Sequence, residues 1–284
     1  MPKMILRATA CLAWLACAGC VPGDLAVWVR QVEEQRIPTA GLTALRVRTH
    51  NGAIRLKTQP GPQAEAVVTV TKRTAALTAL RARDAMQALQ VHTRRENDGT
   101  LNVGWTWAGI RGEDWRAEVS FEINAPASLP SHLRTHNGAV SVEGANADVT
   151  AVTHNGRINV TATGDKLHAV THNGAIVAVY SGPELKLATH NGRVDADLAG
   201  CGHVSGAIAT HNGQVNLIVG QRTSADLTCR THNGSIHCDA PLENKEVSQR
   251  RLTGQLGDGG DRLEVTTHNG SVRIVQAQKP PESM

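Results

Sequence analysis

Histidine is the residue whose type and spacing in this chain most clearly suggest chemistry. The tetrapeptide Thr-His-Asn-Gly occurs eight times, and each copy supplies one imidazole. The eight histidines are His50, His136, His154, His172, His190, His211, His232 and His268. The residue number rises by 18 at each step from His136 to His190, then twice by 21, and finally by 36. Imidazole binds transition metals and changes charge near neutral pH, so a regular row could bind metal or respond to acid.

Six of these rings form the candidate surface row. They are His136, His154, His172, His190, His211 and His232. Equivalent residues on paired strands stand about 4.8 Å apart, so we expect the rings to stack, with His50 and His268 extending the row at its ends. A tight metal site needs three or four ligands and second-shell support, and the motif has no carboxylate or thiolate beside the histidine. Metal binding is therefore the weaker alternative, no metal ligand is assigned, and no cofactor is expected.

Motifs that indicate catalysis are missing from the sequence. It contains no Gly-x-Ser-x-Gly elbow, phosphate-binding loop, His-Glu-x-x-His segment or paired carboxylates. The formal net charge of +4 is too small to argue for a nucleic-acid partner. We therefore expect a protein that is not an enzyme and does not bind nucleic acid.

Arginine precedes the motif threonine in three copies, as Arg48, Arg134 and Arg230. Together with the histidines, these residues could form a basic edge that meets anionic glycans or lipid head groups. Aspartates are interspersed along the same region, so scattered solubilising charge remains the alternative.

Three cysteines follow the amino-terminal region. Cys229 and Cys238 occupy two core-facing positions on opposite sides of one motif, so they could form a disulfide in an oxidising compartment. Two buried free thiols in place of valine are the alternative. Cys201 lies in a predicted turn, and the spacing of the three does not match a zinc pattern.

Positions around the motif alternate in polarity. The residue two before each threonine is apolar: Val47, Leu133, Ala151, Ala169, Leu187, Ile208, Cys229 and Val265. The residue five after it is β-branched: Ile54, Val140, Ile158, Ile176, Val194, Val215, Ile236 and Val272. This period of two predicts strands with one buried face. The phase slips once, at Asn-Gly, which predicts a corner with a left-handed glycine, threonine and asparagine facing inward and histidine facing outward.

Two all-β folds could use this corner. In a right-handed parallel β-helix with 18–21-residue coils, equivalent positions stack directly, and inward asparagines can hydrogen-bond in a ladder. The ladder would contain Asn137, Asn155, Asn173, Asn191, Asn212 and Asn233. The alternative is an antiparallel meander, because Asn-Gly between alternating strands is a strong hairpin signal. Ladder formation by an unvaried asparagine favours the β-helix.

The amino-terminus is typical of an exported protein. Residues 1–19 carry Lys3 and Arg7 before a short apolar run, which predicts a signal peptide. Small residues before Cys20 resemble the bacterial lipoprotein cleavage box, which implies cleavage there, acylation of Cys20 and anchoring in a membrane. Cys17 stands where that box usually has an aliphatic residue, so an ordinary secreted protein is the alternative. Val21 is not the aspartate of inner-membrane retention, so the outer membrane is the expected location where the cell has one.

The rest of the chain divides at composition changes. Residues 20–41 are polar and contain two prolines, which predicts a lipidated tether with at most one helical turn. Residues 42–130 hold the first coil and an insertion with a helix over Thr74 to Leu89, in which Leu77 and Leu80 lie on the apolar stripe. This insertion is expected to cap the solenoid. Residues 131–276 are the repeat array, and residues 277–284 are a disordered tail.

Repeats of the form Thr-x-(Ser/Asn)-Gly followed by alternating isoleucine or valine, here with asparagine at the third position, resemble the bacterial putative-adhesin family of β-repeat envelope proteins. The strand–helix–strand insertion and the segment from Leu252 to Gly260 are also similar to that family. The resemblance covers residues 42–276 and implies a right-handed β-helix at the cell surface. The near-constant histidine departs from the family pattern, in which a small residue is common.

The sequence thus predicts a cell-envelope lipoprotein with an adhesin-like β-helical surface that binds a polymer, such as an envelope glycan, or a surface protein. The alternative is an accessory or sensor component of an envelope-stress pathway. A polysaccharide-active enzyme is a weaker alternative, because parallel β-helices also include such enzymes.

Overall fold

The computed structural model describes residues 26–277 as an all-β protein with a single short helix. The predicted signal peptide, Cys20 and nearly all of the predicted tail lie outside the described residues. In chain order the elements are β1 (Val27–Pro38), β2 (Ala44–Arg48), β3 (Ile54–Gln59), β4 (Glu65–Ala76), α1 (Ala79–Ala88), β5 (Leu89–Arg95), β6 (Thr100–Trp107), β7 (Arg116–Pro126), β8 (Ser131–Arg134), β9 (Val140–Ala145), β10 (Val149–Val152), β11 (Ile158–Ala162), β12 (Lys166–Asn173), β13 (Ile176–Tyr180), β14 (Glu184–Asn191), β15 (Val194–Leu198), β16 (Ser205–Asn212), β17 (Val215–Val219), β18 (Ala225–Asn233), β19 (Ile236–Cys238), β20 (Glu243–Ser248), β21 (Arg251–Leu256), β22 (Arg262–Asn269) and β23 (Val272–Gln276). No helix in the described range is long and apolar enough to cross a bilayer.

The strands form two large mixed sheets, neither of which closes on itself. Through the array the chain alternates between them, with the strand before each motif in one sheet and the strand after it in the other. Neighbouring repeats pair in parallel and in register: Ala151 pairs with Ala169, and Ile158 pairs with Ile176. Equivalent residues of successive repeats therefore stand side by side, which is the spacing that a ladder requires.

Antiparallel pairing occurs at the two ends of the array. At the amino-terminal end β1, β4 and β7 pair antiparallel, and so do β5 and β6. At the other end β18, β21 and β20 pair antiparallel. Strands β7 and β6 in turn pair in parallel with β3 and β2, so the insertion covers the first repeat in both sheets.

The last repeat in the sequence is not the last in space. Strand β22 lies between β16 and β18, and β23 lies between β17 and β19. The hairpin β20–β21 carries the chain past β18 before it returns to fill this position. The 36-residue interval thus contains a hairpin, and its two motifs are direct neighbours.

The core is a narrow apolar layer between the two sheets. It is filled by the inward positions of the alternating pattern, including Ile158, Ile176 and Leu187, each at most 1% exposed. Tyr180 is the largest fully buried side chain, and its hydroxyl lies 2.8–2.9 Å from the carbonyl oxygens of Gly164, Asp165 and Glu184. Because aliphatic side chains fill the narrow space between the two sheets, the chain forms a core with few aromatic residues.

Two predictions for the amino-terminal part are wrong. Residues 27–38, predicted as tether, form β1 and pair with β4 along all 12 residues, burying Val29 and Ile37. The helix begins at Ala79, because β4 continues to Ala76 and Thr78 caps the helix by accepting the Arg81 N–H. This later start places Ala82, Ala85 and Met86 in the core and leaves Leu77 and Leu80 exposed.

Candidate functional site: an exposed histidine–asparagine ribbon

The motif lies where each strand of one sheet ends and the chain turns into the other sheet. Threonine is buried in every array copy, whereas the following histidine is exposed. Because repeats stack in register, the eight motifs form straight rows along one side of the molecule. We call the two rows of eight motif histidines and eight motif asparagines the His–Asn ribbon.

The histidine rings stack face to face along the whole ribbon. Neighbouring ring centroids are 4.6–4.9 Å apart, and the ring planes differ by 2–15°. Seven such steps, each close to the usual spacing of paired strands, give a stack about 33 Å long. Ring faces are covered by neighbouring rings, so a ligand meets mainly the ring edges with their nitrogen atoms.

The spatial order of the rings differs from the predicted order. His50 begins the stack, as expected, but His268 stacks between His211 and His232, so His232 is the last ring. The insertion of β22 between β16 and β18 causes this exchange. The six histidines singled out in the sequence are therefore on one row, interrupted once by His268.

The asparagines form a second ladder beside the rings. Each Nδ2 group donates to the Oδ1 atom of the neighbouring asparagine at 2.7–2.8 Å, in the spatial order Asn51, Asn137, Asn155, Asn173, Asn191, Asn212, Asn269 and Asn233. At the capped end Asn51 donates to the carbonyl oxygen of Ala117 at 3.3 Å. Each inner amide uses one N–H and one acceptor site in the ladder, so a second N–H and further acceptor capacity stay available.

The predicted inward orientation of the asparagines is wrong, because their side chains are exposed from Asn137 onward. The backbone gives the reason. The N–H groups of His136 and Asn137 both donate to the carbonyl oxygen of His50, and those of His154 and Asn155 both donate to His136. The chain therefore bends at the histidine, one residue earlier than the alternation predicts, and asparagine leaves the core.

Threonine and glycine join each repeat to the preceding one. The hydroxyl of Thr153 donates to the carbonyl oxygen of Gly138 at 2.9 Å, and Thr171 donates to Gly156 at 3.0 Å. A Cβ atom at Gly156 would lie 2.0 Å from the carbonyl oxygen of Gly138. Among the motif glycines only Gly52 has a positive φ. Glycine is required for the close approach of two backbones, and the predicted left-handed corner is wrong for the other copies.

The ribbon is poorly arranged for a metal ion. Parallel stacked rings point their nitrogen atoms in the same direction and not toward a common centre, whereas a tetrahedral site needs converging ligands. Among residues 26–277 no group of three or more histidine, cysteine, aspartate or glutamate side chains could hold a metal.

A groove lies beside the first three rungs of the ribbon, over the threonine row. At the capped end it is a cavity of about 580 Å³, with Arg48, Arg134 and Val152 on one side and His50, His136 and His154 on the other. The row of residues opposite the rings continues beyond this cavity. Its members pair in register in the order Arg48, Arg134, Val152, Val170, Ala188, Ala209, Thr266 and Arg230. We call this feature the ribbon groove. Its middle is apolar and its two ends carry arginine.

Arg48 and Arg134 are adjacent in register and form no ion pair with a carboxylate of the described chain. The sequence identified these arginines but not the apolar residues between them. The same alignment on the motif threonine contains that signal, since valine and alanine occupy the equivalent position in four consecutive repeats.

The three cysteines of the described chain are free thiols. The predicted disulfide between Cys229 and Cys238 is not formed, and the two residues lie in different sheets. Burial raises the pKa of Cys201 to about 11 and also raises the pKa values of Cys229 and Cys238. These thiols are weak nucleophiles at neutral pH.

No protein-family model matches this chain, and no curated protein matches it. Solved structures are similar at low identity. A putative cell adhesion protein from Clostridium sporogenes is 10% identical with a TM-score of 0.39, over 87% of this chain and 100% of that one. A putative adhesin from Bacteroides fragilis is 10% identical with a TM-score of 0.47, over 86% and 97% of the two chains. A putative lipid binding protein from Parabacteroides distasonis is 12% identical with a TM-score of 0.30, over 86% and 96%.

Proposed function

We propose that this protein is a non-enzymatic, lipid-anchored protein of the cell envelope, and that its His–Asn ribbon and ribbon groove bind a linear polymer, preferably an envelope glycan. In this proposal the array is a right-handed parallel β-helix and Cys20 carries the lipid. The observation that carries the binding role is the uninterrupted ribbon, in which eight exposed rings repeat every 4.6–4.9 Å.

The ribbon suits a ligand that is itself repetitive. Every rung offers a ring nitrogen and an amide that retains one N–H and acceptor capacity. The repeat distance is close to the length of one sugar residue in an extended glycan, so hydroxyl groups can meet successive rungs. The apolar middle of the groove can contact C–H faces, and Arg48, Arg134 and Arg230 can bind carboxylate or phosphate groups at the ends.

A peptide partner that adds a strand fits this surface less well. Strand addition requires free backbone groups at a sheet edge. Along the ribbon, by contrast, the histidine carbonyl oxygens accept N–H groups from the next repeat, as those of His50, His136 and His154 do. Side chains, and not the backbone, are therefore what this surface offers to a ligand.

The test is to screen the mature protein against glycan arrays and purified envelope polymers, alongside a variant in which His154, His172 and His190 are replaced by serine. These rings are exposed, so the threonine and glycine contacts that hold the repeats together stay intact. We expect the wild-type protein to bind at least one polymer and the variant to bind it about tenfold more weakly, a loss of ~1.4 kcal/mol.

The matched control replaces three histidines outside the ribbon, His92, His203 and His237, by serine. It should bind as the wild type does. Failure of the wild-type protein to bind any glycan or envelope polymer would reject the binding role, and equal weakening by both triple variants would reject the ribbon as its site.

A further inference from the structure

Exposed apolar side chains are concentrated at one corner of the amino-terminal cap. Val27 is 37% exposed, Leu77 62%, Leu80 68% and Ile110 96%. The other large exposed apolar residues of the described chain are Val179 and Val247, which lie on β13 and β20. We call the four cap residues the apolar corner.

Pairing and hydrogen bonds hold the apolar corner together. Val27 pairs with Ala76, so it stands beside the strand end that leads into Leu77. The Leu77 N–H donates to the Oδ2 atom of Asp114 at 3.0 Å, and the Arg81 guanidinium lies 2.6 Å from Oδ1 of the same carboxylate. The loop of residues 108–115, which contains Ile110, is thereby tied to the start of α1 through Asp114, and the Ala108 N–H ties it to the end of α1 by donating to the carbonyl oxygen of Ala88 at 2.7 Å.

Packing within the fold does not account for these exposed residues. Helix α1 buries Ala82 and Met86 against Val29 and Ala76, with Trp115 packed beside them. Leu77 and Leu80 point away from that cluster into solvent. Grouped exposed apolar residues of this kind mark interaction surfaces more often than single ones do.

The chain outside the described residues indicates what covers the apolar corner. Cys20 precedes Ala26 by six residues, and an extended chain of that length spans at most about 20 Å. The described chain begins at the Val27 end of β1, whereas the other end of this 12-residue strand, at Pro38, is about 40 Å away. A lipid on Cys20 therefore keeps the apolar corner, and not the far end of the strand, close to the bilayer.

We propose that the apolar corner docks on the membrane that holds the Cys20 lipid, inserting Leu77, Leu80 and Ile110 at the boundary between head groups and acyl chains. This inference rests on the lipid anchor of the proposed function but not on polymer binding. Apolar side chains that enter this boundary add to the anchoring of an acyl chain. The fold fixes the position of the apolar corner on the molecule, so docking of this corner also fixes the orientation of the array relative to the membrane.

The orientation follows from where the ribbon begins. A cavity of about 510 Å³ is lined by Trp28 and Arg111 of the cap together with Asn51, Gly52 and Asn137 of the first two rungs. The His50 end of the ribbon therefore lies near the membrane in the docked protein. The His232 end, at the opposite end of the stack, faces away from it.

The first experiment uses the lipidated protein, purified in detergent and reconstituted into vesicles of phosphatidylethanolamine and phosphatidylglycerol. A polarity-sensitive fluorophore is attached to a single cysteine introduced as Leu80→Cys or Ile110→Cys, with Val179→Cys and Val247→Cys as matched exposed controls. Cys238 is replaced by serine, since it is the least buried of the native thiols in the described chain. We expect a blue shift and quenching by lipid-phase quenchers at positions 80 and 110, and water-like emission at the controls. Water-like emission at all four positions would overturn the proposal.

The second experiment uses the unlipidated chain from Val21 onward, which retains every described residue. Leu77→Gln, Leu80→Gln and Ile110→Gln together should lower partitioning into these vesicles about tenfold, because three apolar contacts are lost. Val179→Gln with Val247→Gln should leave partitioning unchanged. Equal partitioning of both variants would reject the apolar corner. The mass of the purified lipidated protein separately reports acylation of Cys20, so failure of the anchor and failure of the docking face are distinguishable.

Discussion

At each motif glycine the neighbouring repeat leaves no room for a side chain. The Cβ position of Gly156 is 2.0 Å from the carbonyl oxygen of Gly138, and the same geometry recurs between Gly174 and Gly156. The crowded carbonyl of Gly138 also accepts the hydroxyl of Thr153. One added methyl group therefore disturbs two contacts between repeats at once.

Replacing Gly156 by alanine should destabilise the protein by about 2–3 kcal/mol, because the backbone must shift and the hydrogen bond from Thr153 must lengthen. Urea unfolding followed by circular dichroism measures this change. The control is Gly202→Ala, where nothing lies within 4 Å of the added Cβ and the backbone is not left-handed. The control should stay within about 0.5 kcal/mol of the wild type. Equal losses in the two variants would contradict the close-approach explanation.

His168 on β12 and Lys186 on β14 lie on neighbouring strands and are direct partners in register. Burial lowers the pKa of His168, and the charge of Lys186 lowers it further. The folded protein therefore binds this proton less tightly than the unfolded chain does. Stability contributed by the neutral ring is intact above pH 6.5, the ordinary value for histidine, and is lost as the pH falls below it.

His168→Gln should reduce the loss of stability between pH 7.5 and pH 5.5, because the titrating ring is absent. Lys186→Met should reduce this loss only partly, because it removes the lysine charge but not the burial of His168. Urea unfolding at the two pH values measures the difference. Lys245→Met removes the same charge from the distant strand β20 and should not alter the loss. A loss of the same size in wild type and His168→Gln would show that this ring does not contribute.

Single strands could be predicted because buried apolar residues and exposed polar residues alternate along them. The β-branched residues five positions after the threonine, such as Ile158 and Ile176, start strands and are buried. Strand β1 was missed because its polar residues outnumber Val29 and Ile37, and its stability comes from pairing with β4. The asparagine orientation was missed because two N–H groups share one histidine carbonyl, which polarity does not encode.

At the scale of the whole molecule the order of the repeats in space differs from their order in the chain. Parallel neighbours stand about 4.8 Å apart, within the Cα separation of a disulfide, whereas residues two strands apart do not. His211→Cys with His268→Cys should therefore form a disulfide under mild oxidation. His211→Cys with His232→Cys should not, and this pair is the control. Non-reducing electrophoresis after proteolysis distinguishes the two, and the opposite result would mean that the repeats stack in chain order.

This order could not be read from the sequence. The 36-residue interval equals two periods of 18, so it is compatible with an intervening repeat that lacks the motif. The choice between such a repeat and the hairpin β20–β21 depends on tertiary pairing, in which β21 runs antiparallel to β18 and sends the chain back to β16. Local patterns specify which residues are buried, and they do not specify which strand is the neighbour.

The placement of β22 and β23 between earlier strands affects when the array can reach its final order during folding. A chain that is synthesised from its amino-terminus contains the repeat of Thr231 before that of Thr267, and the earlier repeat has the same 21-residue spacing that lets its predecessor stack. The position beside β16 can be filled by β22 only once the chain extends past Arg262 to Asn269. A chain cut short before β22 lacks the ring of His268 between His211 and His232, so the final order of the rungs is reached only after that strand has been made.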